Sequence, residues 1–435
     1  MMKNTPKTVA FHTLGCKLNY AETSTISRQF EAAGYIKVDF QSAADLYVIN
    51  TCSVTENADK EFRKIVNRAK RQAPASKVAV IGCYAQLRPE AIIESSAVDL
   101  VLGMKEKFNL LDHIQFEDNF HAPLVVQDTA VEELHGCIPS YSLGDRTRSF
   151  LKIQDGCDYP CTYCTIPMAR GLSRSLDPES LILQAKEIAA NGVKEIVLTG
   201  VNVGDYRFGK NIVLLDLLKM LDQVEGIERI RISSIEPNLL TDEIIEFVAK
   251  STSILPHFHI PLQAGSDKIL SLMKRRYAVN LFVDRIQSVR KLLPNAGLGV
   301  DVIVGFPGEG EAEFNQTRDL LESLDISYLH VFTYSERPNT PAINFPDKVD
   351  LRERKSRNKV LTELSNSKNH GFSLRQINKP AQVLFETYRE GMLSGMTENY
   401  LKVWVPAESD TLINHTVSIE LTGVKEKKLL GMILQ

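Results

Sequence analysis

The chain has 435 residues, which at roughly 150 per domain exceeds a single small module and predicts about three folding units. Lys and Arg number 51 against 54 for Asp and Glu, and the net charge of -3 excludes a general attraction to polyanions; any nucleic-acid contact has to come from local basic patches. With 43% hydrophobic and 24% charged residues the composition is globular, which excludes disorder over most of the length.

At the start, Met1–Thr8 carries no apolar stretch ahead of a small-residue cleavage site, so no secretory leader is expected. No apolar run reaches the roughly 18 residues of a membrane span, and no membrane partner is expected. Thr8–Leu14 reads as a strand and Asn19–Ala33 as an amphipathic helix closed by Gly34. A buried strand follows at Leu46–Ile49, a helix at Glu56–Gln72, a strand at Lys77–Ile81, a helix opening at Pro89 and a strand at Val98–Leu102. Strands apolar throughout and separated by helices predict an α/β unit, a Rossmann-like parallel sheet covered on both faces, over residues 1–138.

The alternation restarts near residue 148, with strands at Phe150–Ile153, Glu195–Leu198, Arg229–Ile232, His257–Ile260, Gly299–Val304 and Tyr328–Phe332. Six β/α units predict a partial (β/α)6 barrel, since about 190 residues are available where eight units need about 250. A charged helix at Leu351–Asn366 completes a central domain assigned to residues 139–372. Residues 373–435 turn to short alternating runs at Gln382–Glu386, Met392–Gly395, Tyr400–Val405, Val417–Leu421 and Leu429–Leu434. They predict a small five-stranded antiparallel, OB-like β-barrel, a shape that often binds oligonucleotides.

Cys16, Cys52 and Cys83 each fall just beyond a predicted strand. In an open parallel sheet the loops at the carboxyl ends of the strands converge on one crevice, whereas cysteines kept for packing belong inside strands. Cys157, Cys161 and Cys164 form a Cys-x3-Cys-x2-Cys loop after the first barrel strand. Zinc wants a fourth ligand that the following residues do not obviously supply; three close thiolates suit a 4Fe-4S cube with one iron left open to a small molecule. Seven cysteines are few for this length, and they fit thiol chemistry in the reducing cytoplasm better than a disulfide framework. Cys137 has no motif partner, and His257 and His259 alternate on one strand as barrel lining.

The cysteine loop resembles the signature of the radical S-adenosylmethionine superfamily, whose fold is a partial β/α barrel. Leu198-Thr199-Gly200-Val201 and the segment Asp301–Glu309 resemble its cofactor-facing segments, with Asp301 standing where a glycine is usual. Taken whole, the chain resembles the radical methylthiotransferases: three dispersed N-terminal cysteines, the barrel with its loop, and a terminal RNA-binding β-barrel known as a TRAM domain. The resemblance implies two 4Fe-4S clusters. Cys16, Cys52 and Cys83 would hold an auxiliary one carrying the sulfur to be inserted, and Cys157, Cys161 and Cys164 the one that cleaves S-adenosylmethionine. It further implies S-adenosylmethionine contacts at Tyr163, Gly200, Val201, Ser233, Gln263 and Ile303.

Gly15-Cys16-Lys17-Leu18-Asn19 is similar to the branch acting on N6-threonylcarbamoyladenosine in tRNA. The branches acting on isopentenyladenosine and on a ribosomal-protein aspartate read Gly-Cys-Gln-Met-Asn and Gly-Cys-Pro-Lys-Asn, and the same chemistry on those targets is the alternative. An adenine C2–H bond offers acid–base catalysis neither an acidic proton nor a leaving group, which is why a radical is needed. The family uses one S-adenosylmethionine to methylate the sulfur and another as the radical source. The partners implied are tRNA carrying N6-threonylcarbamoyladenosine and an electron-donor protein. Clustered cations predict RNA contacts at Arg275, Arg276, Arg352 and Arg354, with a further basic run at Arg63, Lys64, Arg68, Lys70 and Arg71.

Overall fold

Six parallel strands build the N-terminal sheet, in the order Ile36–Val38, Thr8–Thr13, Leu46–Thr51, Lys77–Gly82, Leu100–Leu102 and Leu124–Val126. The structure, a computed structural model, describes residues 6–53, 56–95, 97–114, 124–126, 136–144 and 147–434; residues 1–5, part of the segment read for a leader, lie outside these. Successive strand side chains point to opposite faces, and both faces are covered. Val9, Val48 and Ile81 pack with Ile26 and Phe30 of the helix Lys17–Ala32. Ala10, Ile49 and Val80 pack with Phe62, Ile65, Val66 and Ala69, the apolar stripe of the helix Glu56–Gln72.

The central unit holds six parallel strands in two runs. Arg148–Lys152, Glu195–Thr199 and Arg229–Ile232 form one, and His257–Gln263, Gly297–Val304 and Tyr328–Thr333 the other. Bridges at Ile230–Ile254 and Ser234–His259 join the two runs side by side. Among the described residues no pairing links the last strand to the first, so the barrel is the partial one expected. Local signals set its helices: the Asp177 side chain accepts from the Ser180 amide with Pro178 opening the helix Pro178–Ala190, and Thr241 caps the helix Asp242–Lys250 by accepting from Ile244.

Five strands close the C-terminal barrel, in the order Pro380–Arg389, Met392–Thr397, Lys402–Pro406, Lys428–Ile433 and Thr416–Lys425. Its pairings are antiparallel except between Lys402–Pro406 and Lys428–Ile433, which run parallel. The preceding helix runs Leu351–Leu374, past both its expected end and the expected domain limit at 372. Weak helix formers after Ser365 predict an earlier stop. Phe372, 1% exposed, overrides them by inserting into the small barrel's core beside Ala381 and Val383.

A buried ion network docks this barrel on the central one. Glu195 accepts from Arg229 (2.8 Å) and Arg231 (3.0 Å) and lies 3.9 Å from Arg148, itself 2.6 Å from Glu386. Burial works to raise the Glu195 pKa, and Arg231, Arg229 and Arg148 outweigh it, holding it at about 2. The remaining guanidinium N–H groups donate across the boundary, Arg229 to the carbonyls of Gln382 and Met396 and Arg231 to those of Thr397 and Glu398. No helix among the described residues is long and apolar enough to cross a membrane.

Candidate active site

The N-terminal cysteines occupy three neighbouring strand ends. Cys16 precedes the helix Lys17–Ala32, Cys52 follows Leu46–Thr51, and Cys83 opens the short helix Cys83–Leu87. Gly15 has φ of +100°, and a Cβ there would lie 2.7 Å from Cys52 Cβ, so glycine lets the Cys16 loop rest on Cys52. Buried Asn19 ties the loops together: its amide donates to the carbonyls of Leu14 (3.0 Å) and Thr51 (2.9 Å). Burial raises the pKa of the Cys83 thiol; Arg170 and Lys107 oppose the shift and nearby Cys16 adds to it. None of the seven cysteines is in a disulfide.

The second triplet lies in one loop. Gly156, at φ +73°, lets the chain pass so close to the Leu172 carbonyl that a Cβ would be 2.0 Å from its oxygen. Thr162 fastens the loop to the segment after strand His257–Gln263 by donating to Leu272 O and Met273 O. Each sulfur accepts a hydrogen bond: Cys157 from the Tyr159 amide (3.4 Å), Cys164 from the Ile166 amide (3.5 Å) and Cys161 from Arg275 Nη1 (3.1 Å). Burial pushes Cys157 and Cys164 up to about 12 and raises Cys161. Such thiols stay protonated at neutral pH unless a metal takes the proton's place. Three free cysteines carried by one loop, with N–H donors aimed at their sulfurs, fit in kind the ligand set of an iron–sulfur cluster, whose potential such hydrogen bonds tune.

The two triplets belong to one contiguous structure. Ser53 Oγ, next to Cys52, lies 3.3 Å from Thr165 Oγ1, next to Cys164. Cys83 packs on Ala169 of the helix Ile166–Arg170, with Met104 alongside. Arg170 ends that helix fully buried and donates to Asn19 Oδ1 (2.5 Å), Glu22 and Asp155. Glu22 also binds Lys107 (2.7 Å) and Lys152 (3.0 Å), so this domain boundary is sealed by charges paired out of water.

Two cavities open at the junction. One of about 200 Å³ is lined by Cys164, Tyr163, Gln263, Ile303, Asp301 and Tyr334, among others. The other, about 420 Å³, is lined by Cys16, Lys17, Gly200, Ser233, His259 and Tyr400 together with neighbouring residues, and so takes walls from all three parts of the chain. His259 Nε2 lies 2.8 Å from Asp301 Oδ1, so this pair forms a wall shared by the two cavities. That contact holds the Asp301 carboxylate in place.

Of the residues expected to meet S-adenosylmethionine, Tyr163, Gln263 and Ile303 line the smaller cavity with Cys164, Gly200 and Ser233 line the larger with Cys16, and Val201 lines neither. The expected RNA contacts divide. Arg276 and Arg352 are exposed, Arg276 stacking 4.2 Å from the Tyr159 ring beside the cysteine loop. Arg275 and Arg354 are corrected to internal roles. Arg275, its side chain 3% exposed, pairs with Glu236 and Cys161, while Arg354 pairs with Glu336 (2.6 Å) and donates to the Tyr334 and Val349 carbonyls. Sequence reasoning missed Arg170, Glu22 and the Arg275–sulfur contact, whose partners lie far away in the chain.

Two family profiles match the chain: Uncharacterized protein family UPF0004 over residues 8–103 and the Radical SAM superfamily over residues 151–321. The chain is 42% identical over 432 residues to threonylcarbamoyladenosine tRNA methylthiotransferase MtaB of Bacillus subtilis (strain 168), covering 95% of this chain and 93% of that one. It is 31% identical to tRNA-2-methylthio-N(6)-dimethylallyladenosine synthase of Endomicrobium trichonymphae, covering 97% and 99%. In fold it is similar to the radical S-adenosylmethionine methyltransferase TsrM from Kitasatospora setae, solved with cobalamin and a 4Fe-4S cluster bound. That match has a TM-score of 0.57 and 15% identity, over 78% of this chain and 77% of the other.

Proposed function

The chain belongs to the radical S-adenosylmethionine methylthiotransferases, and from that premise we propose that it converts N6-threonylcarbamoyladenosine next to the tRNA anticodon to its 2-methylthio derivative. Cys157, Cys161 and Cys164 would hold the 4Fe-4S cluster that meets S-adenosylmethionine, and Cys16, Cys52 and Cys83 an auxiliary one. When bound, these groups supply the reductive cleavage of S-adenosylmethionine and the sulfur to be inserted. The observation that carries the reading is the junction: Cys164 and Cys16 line adjoining cavities that share the His259–Asp301 wall.

The chain's own residues fit the remaining tasks. Tyr163, Gln263 and Ile303 would bind the cofactor beside Cys164. Arg275, charged and nearly buried, holds the Cys161 sulfur in place. Tyr400 from the C-terminal barrel supplies part of the wall of the larger chamber.

A groove of about 690 Å³, lined by Lys402, Trp404, Lys427 and His370 among others, also reaches Tyr328, His330 and Tyr400, which it shares with that chamber. Cations beside an aromatic face suit an unpaired nucleic-acid strand. Lys402 and Lys428 stand 5.2 and 5.8 Å from the Trp404 ring, which supports entry of the RNA along this groove. Exposed Arg276 and Arg352 would add phosphate contacts.

The test is mass spectrometry of nucleosides after anaerobic incubation of the iron- and sulfide-reconstituted protein with S-adenosylmethionine, a reductant and anticodon stem-loop RNA. RNA carrying N6-threonylcarbamoyladenosine is expected to gain the methylthio group, and RNA carrying isopentenyladenosine to stay unchanged. The reverse pattern assigns the other tRNA substrate, and no product from either RNA contradicts the reading.

A further inference from the structure

Lys17 is an exposed lysine with no hydrogen-bonded counter-ion among the described residues. It stands next to Cys16 at the start of the helix Lys17–Ala32, and its side chain lines the 420 Å³ chamber, a size within the roughly 300–1,000 Å³ of small-molecule sites. Among the described residues lining the chamber it is the one lysine or arginine. It makes no hydrogen bond or ion pair with any described residue. The nearby carboxylates are committed elsewhere: Asp301 to His259 at 2.8 Å, and Glu195 to Arg229 and Arg231 at 2.8 and 3.0 Å.

A second residue on the same wall carries a buried nitrogen without a partner. His257 is 4% exposed, and its Nε2 lies 2.8 Å from the Tyr328 hydroxyl while its buried Nδ1 has no partner. A lone cation without a counter-ion therefore stands at a cleft whose other polar side chains are those of cysteine, threonine, serine, tyrosine and histidine. A lone lysine at that position favours a ligand group bearing a negative charge, because a neutral hydrocarbon offers its ammonium no charge-assisted hydrogen bond.

The threonylcarbamoyl group ends in a carboxylate and a hydroxyl, and an isopentenyl group has neither. We propose that Lys17 binds the threonyl carboxylate of the substrate and thereby determines which N6-modified adenosine the enzyme accepts. The proposal rests on the substrate reading above. Lys17 acts by binding and orienting the substrate, and no bond is made or broken at it.

The experiment compares anticodon stem-loop RNA carrying N6-threonylcarbamoyladenosine with the same RNA as its threonyl methyl ester. Binding to the reconstituted full chain is read by fluorescence anisotropy, with iron content measured alongside. Wild type is expected to bind the acid roughly 10- to 100-fold more tightly than the ester, as for loss of a hydrogen-bonded charge pair. Lys17→Met should bind the two RNAs about equally, and Lys17→Arg should keep most of the preference.

A Lys17→Met protein that still prefers the acid by the wild-type factor overturns the role of Lys17 while leaving the substrate reading intact. A wild type that does not distinguish acid from ester also overturns it. If Lys17→Met does not load iron, Lys17→Gln and the wild-type comparison decide in the same way. A wild type that binds the threonylcarbamoyl RNA no better than unmodified RNA and does not modify it marks failure of the substrate reading itself.

Discussion

With Cys157, Cys161 and Cys164 all replaced by alanine, the reconstituted protein is expected to form no 5′-deoxyadenosine from S-adenosylmethionine, and its iron content to fall from about eight to about four per chain. With Cys16, Cys52 and Cys83 replaced instead, iron should fall by the same amount and methylthiolation should stop, while 5′-deoxyadenosine still forms. The two triplets are held by different parts of the fold, which is why the losses separate. The first sits on strand ends of the N-terminal sheet, where Asn19 binds the Leu14 and Thr51 carbonyls. The second sits in a loop fastened by Thr162 and Arg275 to residues after strand His257–Gln263. Cys83, packed on Ala169, is the residue whose truncation most affects the opposite side, so a Cys16→Ala, Cys52→Ala double variant serves as the control. Loss of all iron, or of none, in either triple variant contradicts the assignment.

Replacing Glu22 by glutamine should lower the free energy of unfolding by about 3–5 kcal/mol, the cost of stripping a partner from a buried ion network. Glu22 is 0% exposed and meets Lys107, Lys152 and Arg170, each 1% exposed. Burial alone would raise its pKa; Arg170, Lys107 and Lys152 instead hold it far below the usual carboxylate range. A depressed folded-state pKa contributes stability above the unfolded value, near 4.5, and that contribution is lost as the pH falls below it. Glu22→Gln should therefore lose stability at neutral pH and flatten the acid side of the pH–stability curve. Because Arg170 also holds Asn19, the variant should retain iron less well at the N-terminal triplet. Urea unfolding of both proteins at neutral and acidic pH is the check, and a loss below about 1 kcal/mol, typical of an exposed pair, contradicts the role given to the network.

The β/α alternation was legible because buried parallel strands are runs of apolar residues, and such runs need no knowledge of their neighbours. The strand Arg229–Ile232 appears as expected, and the other barrel strands differ only at their ends. Ile36–Val38 was missed because it is a three-residue edge strand with Ile36 half exposed, which leaves no apolar run to find. The placement of Cys16, Cys52 and Cys83 beyond strand ends was legible because each apolar run stops just before its cysteine. Side-chain partners were not. Arg275 sits in a Lys-Arg-Arg run that reads as a solvated patch, and what internalises it is Glu236, 39 residues away, and Cys161, 114 away. Glu22 reads as the polar side of a helix until Arg170, 148 residues on, is brought against it. Lys17 reads as part of the Cys16 motif, and its place in the chamber wall depends on Thr199, Ser233 and Tyr400 from distant parts of the chain.

The central claim is that the two thiol triplets serve one reaction space, and anomalous scattering from iron in crystals of the reconstituted protein, grown without oxygen, tests it most directly. The account predicts two iron clusters, one against Cys16, Cys52 and Cys83 and one against Cys157, Cys161 and Cys164, both bordering the cavities joined at His259 and Asp301. Iron at one triplet alone, or two clusters that open on separate faces of the protein, would contradict it.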